Sequence, residues 1–373
     1  MSQPDIALTR LASQQLTGTN HTTPQEIVSW MGAMQAQDFP MAKWAIGIRL
    51  PGSTEQRIEA AINDGKILRI HVMRPTWHFV TAEDIYWLLE LTAAQVKTAQ
   101  SARDRQLELS AEVYAKSNQV IEKALSKARL MRREELLAEL QKAGIATDQN
   151  RSAHLLAQAE LDQIICSGPI QKGKPTYALL SERAPKKVSL SKDEALARLA
   201  QKYFASRCPA TLQDFTWWSG LRAADAKLAL DLVKGDFFAE TIDGKTYYLP
   251  EYFNLPHYKA GWVHLLPTYD EYLVAYTDRG ASVEAKYAKH MNEISNRGVF
   301  WPVIVIDGQV KGIWKRTIKQ TSMQIDIKPF AELSPATKRR LDKAGFSYGT
   351  FTGKTAEVNP YELSSVRELE DRN

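Results

Sequence analysis

Thr211-Leu-Gln-Asp-Phe-Thr-Trp-Trp-Ser-Gly220, continued by Leu221-Arg-Ala-Ala-Asp-Ala-Lys-Leu-Ala-Leu-Asp-Leu-Val233 and by Phe237-Phe-Ala-Glu-Thr-Ile-Asp-Gly-Lys-Thr-Tyr-Tyr-Leu249, is the stretch on which the fold turns. Thr211 and Asp214 have the spacing of a capping box at a helix start. Arg222 to Val233 forms the next helical run, and Asp243-Gly244 is a two-residue turn joining two strands of a hairpin. A helix over Ser191 to Ser206 precedes them. Three helices followed by a hairpin is the order of a winged helix-turn-helix.

The same grammar appears twice more toward the N-terminus. In Thr22-Thr-Pro-Gln-Glu, Thr23 is the N-cap, Pro24 the first turn and Glu26 the closing acid, with Ile27, Trp30, Met31 and Met34 at helical spacing. Ser53 opens a second helix that carries Ile58, Ala61 and Ile62 and stops at Asp64-Gly65, after which Ile67 to Met73 alternates as a strand. Another copy runs from Asn118 to about Leu180. There Arg132 to Ala143 is helical with Gly144 as C-cap, Arg151 to Cys166 is the next helix, and Gly168 to Leu180 is a two-stranded wing with Gly and Lys residues at its tip. From about Gly261 the chain turns β-rich, with Trp301 to Ile306, the Asp307-Gly308 turn signal, Val310 to Arg316, Ser322 to Ile327 and a late helix near Pro335 to Ala344. The last dozen residues are polar and expected to fray. The expected fold class is therefore α+β, as tandem winged helix-turn-helix units with a C-terminal mostly β domain: 1–100, 101–185, 186–258 and 259–373.

The composition excludes broad classes without choosing a partner. In 373 residues there are 48 Lys and Arg against 43 Asp and Glu, a net +5, with 44% hydrophobic and 24% charged residues and two cysteines. A disordered tail, a collagen-like chain and a disulfide-stapled domain would each distort these values. Cys166 lies in an apolar run and Cys208 precedes a proline, with no metal-ligand spacing nearby, so both are expected to be reduced core thiols. No signal-peptide layout or long apolar run is present, which points to a cytoplasmic protein without a membrane partner. The charge is localised. Residues 310–345 hold nine basic side chains against three acidic ones, a net +6, more than the surplus of the whole chain. Within it, Lys311, Trp314, Lys315, Arg316 and Lys319 are candidate nucleic-acid contacts, because a ribbon with basic and aromatic residues can enter a groove of duplex DNA; a solvated face is the plainer reading of Lys338-Arg-Arg340.

Three segments carry candidate chemistry. Gln35-Ala36-Gln37 leaves a helix ahead of Pro40, and if extended it places two amides on one side, able to hold a water; the plain alternative is a capping pair. Arg74-Pro-Thr-Trp-His-Phe-Val80 puts Arg74, Thr76 and His78 beside that pair as pocket support, or else is a core strand. Leu266-Pro-Thr-Tyr-Asp-Glu-Tyr272 contains adjacent acids that point in different directions, so that at most one, taken as Asp270, faces a site rather than a solvated loop. The sequence has no P-loop, GxGxxG, HExxH, GxSxG or metal-ligand cluster, and no cofactor or metal is expected.

Taken together, Gln35-Ala-Gln37, Met73 to Val80, Cys208 to Leu221, Leu265 to Tyr272 and Gly308 to Arg316 make the chain resemble, over nearly its whole length, the winged-helix DNA glycosylase superfamily of AlkZ-like proteins. The resemblance implies a concave scaffold of tandem winged helices, catalysis by the Gln-x-Gln pair Gln35 and Gln37, and a C-terminal β-hairpin that aids crosslink unhooking, for which the Asp307-Gly308 turn is the candidate. It also implies a partner, damaged double-stranded DNA, and an activity, hydrolysis of the N-glycosidic bond of alkylated purines by a nucleoid-associated monomer. The alternatives are a non-catalytic winged-helix DNA-binding protein or transcriptional regulator, and a protein-binding scaffold. Regulators use symmetric dimers on paired half-sites, whereas three units in one chain already supply an extended surface, which favours the enzyme.

Overall fold

Local capping decides where the first helices begin. The Thr23 hydroxyl accepts from the Glu26 N–H while the Glu26 carboxylate accepts from the Thr23 N–H, so α1 (Gln3–Ser13) is followed by a capped α2 (Pro24–Met31). The computed structural model describes residues 2–251, 253, 260–288, 300–359 and 361, so the polar last dozen lie outside the described residues. After α2 come β1 (Met34–Gln35), α3 (Phe39–Gly47), α4 (Glu55–Asn63), β2 (Ile67–Val72) and β3 (Arg74–Thr81), the three strands in the order β1-β3-β2. The cap of α4 is Thr54, not Ser53 as expected, since the Thr54 hydroxyl accepts from the Arg57 N–H.

The long α5 (Ile85–Gln106) leads to a second set: α6 (Ala111–Ala128), β4 (Leu130–Met131), α7 (Arg133–Lys142), α8 (Arg151–Leu161), β5 (Ile165–Ser167) and β6 (Tyr177–Leu179), with the same strand order, β4-β6-β5. Here α8 ends at Leu161, five residues before the expected Cys166. Ile165 to Ser167 pair with β6 instead, so strand pairing overrides helical periodicity over that stretch. A one-turn helix α9 (Leu180–Arg183) then precedes α10 (Lys192–Ser206), α11 (Leu212–Ser219), α12 (Ala223–Val233), β7 (Phe237–Ile242) and β8 (Lys245–Pro250). A bridge between Ala210 and Tyr248 stands where the short first strand stands in the other two sets. One order of helix, short strand, helix, helix and hairpin thus recurs three times in an α+β chain. Both Asp243 and Gly244 have positive φ, the geometry of a tight hairpin turn.

The C-terminal part is a five-stranded sheet of β9 (Val263–Leu266), β10 (Val303–Ile306), β11 (Gln309–Ile318), β12 (Ser322–Pro329) and β13 (Thr355–Val358), ordered β13-β12-β11-β10-β9, with only β12 and β13 parallel. A four-residue helix α13 (Glu271–Val274) follows β9, and α14 (Pro335–Thr352) runs well past the expected Ala344. The Asp307-Gly308 turn does form, but it is docked on α1: a Cβ on Gly308 would lie 2.9 Å from the Ala7 Cβ, and the Tyr272 hydroxyl donates to the Gly308 carbonyl at 2.7 Å. It is therefore not the projecting hairpin. The exposed tip is the next one along, between β11 and β12, where residues 317–321 are open to solvent and the Lys354 ammonium donates to the Gln320 carbonyl at 2.6 Å.

Packing couples the N-terminal set to everything else. One core joins β2, β3 and α5 to α10, α11 and α12; another joins α2, α3 and α4 to the C-terminal sheet and α14 through Trp44, Trp314, Tyr348 and Phe351. The middle set has a core of its own around Ile121, Leu136, Leu155 and Leu156. Cys166 and Cys208 are free and buried. Among the described residues, no helix is long and apolar enough to cross a membrane. At Gly47, where α3 meets α14, an added Cβ would lie 2.4 Å from the Phe351 ring, which is boxed in by Trp44 and Tyr348. Gly47→Ala should therefore lower the unfolding free energy by about 1–3 kcal/mol in urea titrations; an unchanged midpoint would show that this aromatic box can yield.

Candidate active site around the Gln-Ala-Gln segment

Gly32, at φ +71°, ends α2 and lets the chain turn into β1. Gln35 then pairs with His78 across the sheet, and the Ala36 N–H donates to the Trp77 carbonyl at 2.7 Å, so the Gln-Ala-Gln segment is extended until Asp38 caps α3. The two amides do not share one environment. Gln35 is 8% exposed, whereas Gln37 faces solvent. The Gln35 N–H donates to Glu271 Oε1 at 2.8 Å, and its side-chain oxygen accepts from Arg74 Nη2 at 3.1 Å. Gln37 is held through its backbone, and its side-chain oxygen accepts from the Trp77 N–H at 3.4 Å. Arg69 Nε donates to the Ala36 carbonyl at 2.8 Å and Nη2 to the Gln37 carbonyl at 3.2 Å, with the guanidinium 4.2 Å above the Trp77 ring.

Behind this segment lies a fully buried ion pair. Arg207 Nη2 meets Glu271 Oε2 at 2.7 Å, and the same guanidinium donates to the carbonyls of Met31 and Ala33, each at 2.7 Å. Trp218 Nε1 adds a bond to Glu271 Oε2 at 2.9 Å. The neighbouring Asp270 takes a two-pronged bond from Arg49, 2.8 Å on each prong. The alternative of a solvated loop is thus overturned, since both acids are about 2% exposed or less. The acid that adjoins the glutamines is Glu271; Asp270 points away into its own pair. Their shared turn forces Tyr269 to φ +59°, an uncommon backbone state for an aromatic residue.

Of the β3 candidates, Arg74 touches Gln35 directly, and Thr76 and His78 lie deeper. The His78 Nδ1–H donates to the Thr76 carbonyl at 2.9 Å, leaving Nε2 as a buried lone pair without a partner, and the Thr76 hydroxyl is likewise unpartnered. Burial, aided by the positive charge of Arg74, pushes the His78 pKa well below the ordinary imidazole range, so the ring is neutral. A neutral, enclosed imidazole cannot serve as a proton donor to substrate near pH 7.

Residues 28–351 match the family described as DNA glycosylase AlkZ-like. The chain belongs to the AlkZ-like DNA glycosylase family. The solved structure of Streptomyces sahachiroi DNA glycosylase AlkZ is similar in fold, with a TM-score of 0.77 over 96% of this chain and 100% of that one, at 16% identity. Comparison with curated proteins returns no match. As an AlkZ-like DNA repair glycosylase, the protein has DNA as its partner, and the expected DNA contacts can be placed on that basis.

Trp314 is not a surface residue in this AlkZ-like glycosylase. It is fully buried, its Nε1 donates to the Leu266 carbonyl at 2.8 Å, and its ring packs on Tyr348, because strand alternation turns it inward. Lys311 is paired with Glu284. Lys315 lies over the Trp301 ring at 5.3 Å, and the Arg316 guanidinium lies 5.5 Å from the centre of the Tyr348 ring. Lys319 stands at the exposed β11–β12 tip. Sequence reasoning missed Arg49, Arg69, Arg207, Glu271 and Trp217; the last is 47% exposed, with its ring centroid 6.0 Å from the Arg74 guanidinium.

The state of His78 makes stability depend on pH. Its folded pKa is depressed below the ordinary imidazole value of about 6.5, so below about pH 6.5 the unfolded chain takes up a proton that the folded chain refuses. Stability should fall by about 1.4 kcal/mol per pH unit on this account as pH drops toward 5. Urea unfolding at about pH 7, 6 and 5 should show a shallower fall in His78→Gln; an identical slope in both proteins would mean that His78 charges freely in the fold.

Proposed function

We propose that this glycosylase hydrolyses the N-glycosidic bond of purines made cationic by alkylation at N7 or N3, with water placed by Gln35 and Gln37, and that it acts as a cytoplasmic, nucleoid-associated monomer. The observation that carries the reading is the contrast between the two amides and the ionisable groups around them. Glu271 and Asp270 are locked to arginines, Asp38 caps α3 through the Met41 N–H at 3.1 Å, and His78 is neutral and enclosed. What the extended segment offers to DNA is amide chemistry. An amide orients a water but is a weak base, so the leaving group must already be activated. A purine alkylated at N7 or N3 leaves as a neutral base, and the site then needs only to place the water against an oxocarbenium-like sugar. Normal purines stay intact for the same reason.

The three repeated sets are read as tandem winged helices, and their charge favours an enzyme over a sequence-reading regulator. The third helix of each set is the usual groove-reading element, yet α4 carries Glu55, Arg57 and Glu59, and α12 carries Asp225, Lys227 and Asp231. Neither has a basic face suited to the phosphate backbone. Positive charge stands instead beside the glutamines, at Arg69 and Arg74, and at the β11–β12 tip, where Ile318 is 49% exposed next to Lys319. That tip, rather than the docked Asp307-Gly308 turn, is the hairpin proposed to enter a groove during unhooking of interstrand crosslinks.

Gln37→Ala should release 7-methylguanine from alkylated duplex DNA at least about 100-fold more slowly in single-turnover assays, with melting temperature and DNA affinity retained. Full release by that variant would remove the glutamine pair from the mechanism. Replacing Ile318 and Lys319 together by alanine should slow crosslink unhooking while sparing 7-methylguanine release; equal loss of both would make the tip a general DNA contact.

A further inference from the structure

A cavity of about 320 Å³, with Arg69 in its wall, opens between the first and second repeated sets. Its roof is the loop that joins β5 to β6, which is fixed to the end of α4 by the Ile170 N–H donating to Asn63 Oδ1 at 2.7 Å, and α9 is tied to the same end by Arg183 donating to the Asn63 carbonyl at 2.8 Å. Four cations line it, Arg69, Arg132, Arg133 and Lys174, against two acids, Glu134 and Glu160. Glu160 is directed inward, where its carboxylate takes the His71 N–H at 2.7 Å, His71 Nδ1 at 2.6 Å and Trp77 Nε1 at 3.4 Å. Arg132 Nε is buried with no partner among the described residues. The N-terminus of the ten-residue α7 also meets the cavity at Arg133 and Glu134, adding the positive end of a helix dipole. Phe39 and Tyr177 supply flat apolar walls.

We propose that this cavity binds an undamaged nucleotide unit, a neutral base together with its phosphate. The phosphate would lie at Arg132, Lys174 and the start of α7, and the base between Phe39 and Tyr177. The lining holds two more cations than acids, which favours a phosphate-bearing ligand, and the lesion itself is taken up at the glutamines rather than here. The cavity therefore accepts the damaged base's normal partner or neighbour, displaced from the stack, and it shares Arg69 with Gln37 as a common wall. The source of that nucleotide, though not the binding chemistry, rests on the glycosylase reading above.

Calorimetric titration of the full chain with 2′-deoxyguanosine 5′-monophosphate tests this. Binding should weaken about 10-fold for deoxyguanosine, which lacks the phosphate, and by a similar factor in Arg132→Gln and in Lys174→Gln, the latter on an exposed loop where folding is not at stake. Gln37→Ala should bind the nucleotide as the wild type does. The inference is overturned if the nucleotide fails to bind at millimolar concentration, if nucleoside and nucleotide bind alike, if both cavity variants bind like the wild type, or if Gln37→Ala abolishes binding. Loss of 7-methylguanine release in Gln37→Ala is judged separately, so failure of the catalytic reading and failure of the cavity give different results.

Discussion

The ion pair between Arg207 and Glu271 is the interaction on which the site depends. Both side chains are about 1% exposed or less, and burying two charges costs several kcal/mol each unless their hydrogen-bonding positions are filled. Here they are. Arg207 reaches the carbonyls of Met31 and Ala33, Glu271 receives the Gln35 N–H and the Trp218 indole, and the guanidinium lies 4.3 Å from the Trp218 ring. The pair therefore joins the chain just after α10, the turn between α2 and β1, and the start of α13. Gln35 is in place because three distant segments agree on one buried charge pair.

Much of the fold was legible because its signals are local. The caps at Thr23, Ser191 and Thr211 involve partners three residues away, and Asp243-Gly244 and Asp307-Gly308 adopt the positive φ values their residue types allow. The errors came where a distant partner decides. Asp270 and Glu271 look like loop acids until Arg49, 221 residues away, and Arg207, 64 residues away, are brought to them. Trp314 was misread because its basic neighbours drew attention from the period of two that turns it toward Tyr348. For the Asp307-Gly308 hairpin the turn type was readable, but the docking of its tip on Ala7 was not. In the site, the Gln-x-Gln pair was visible and its asymmetry was hidden: that Gln35 is enclosed and Gln37 open follows from Glu271 and Arg74, which no sequence window connects.

The chemistry proposed for the site follows from restriction as much as from equipment. Carboxylates are present within the surrounding shell, but Glu271, Asp270 and Asp38 are each committed to an arginine or a helix cap. A site built this way trades catalytic reach for selectivity, since a leaving group that is not already activated gives it nothing to act on.

The middle set of helices differs from the rest in having its own core, while the first set shares its cores with the third set and with the C-terminal sheet. At its edge Leu161, Cys166 and Leu180 enter the core of the first and third sets, and polar ties join Asn63 to Ile170 and Arg183, and Glu160 to His71. Cooperativity should follow that division, with residues around Ile121 and Leu155 opening as a separate foldon while the framework of the glutamines stays folded. Compliance would then sit in the middle of the chain, leaving the reacting geometry undisturbed when the protein takes up and releases DNA.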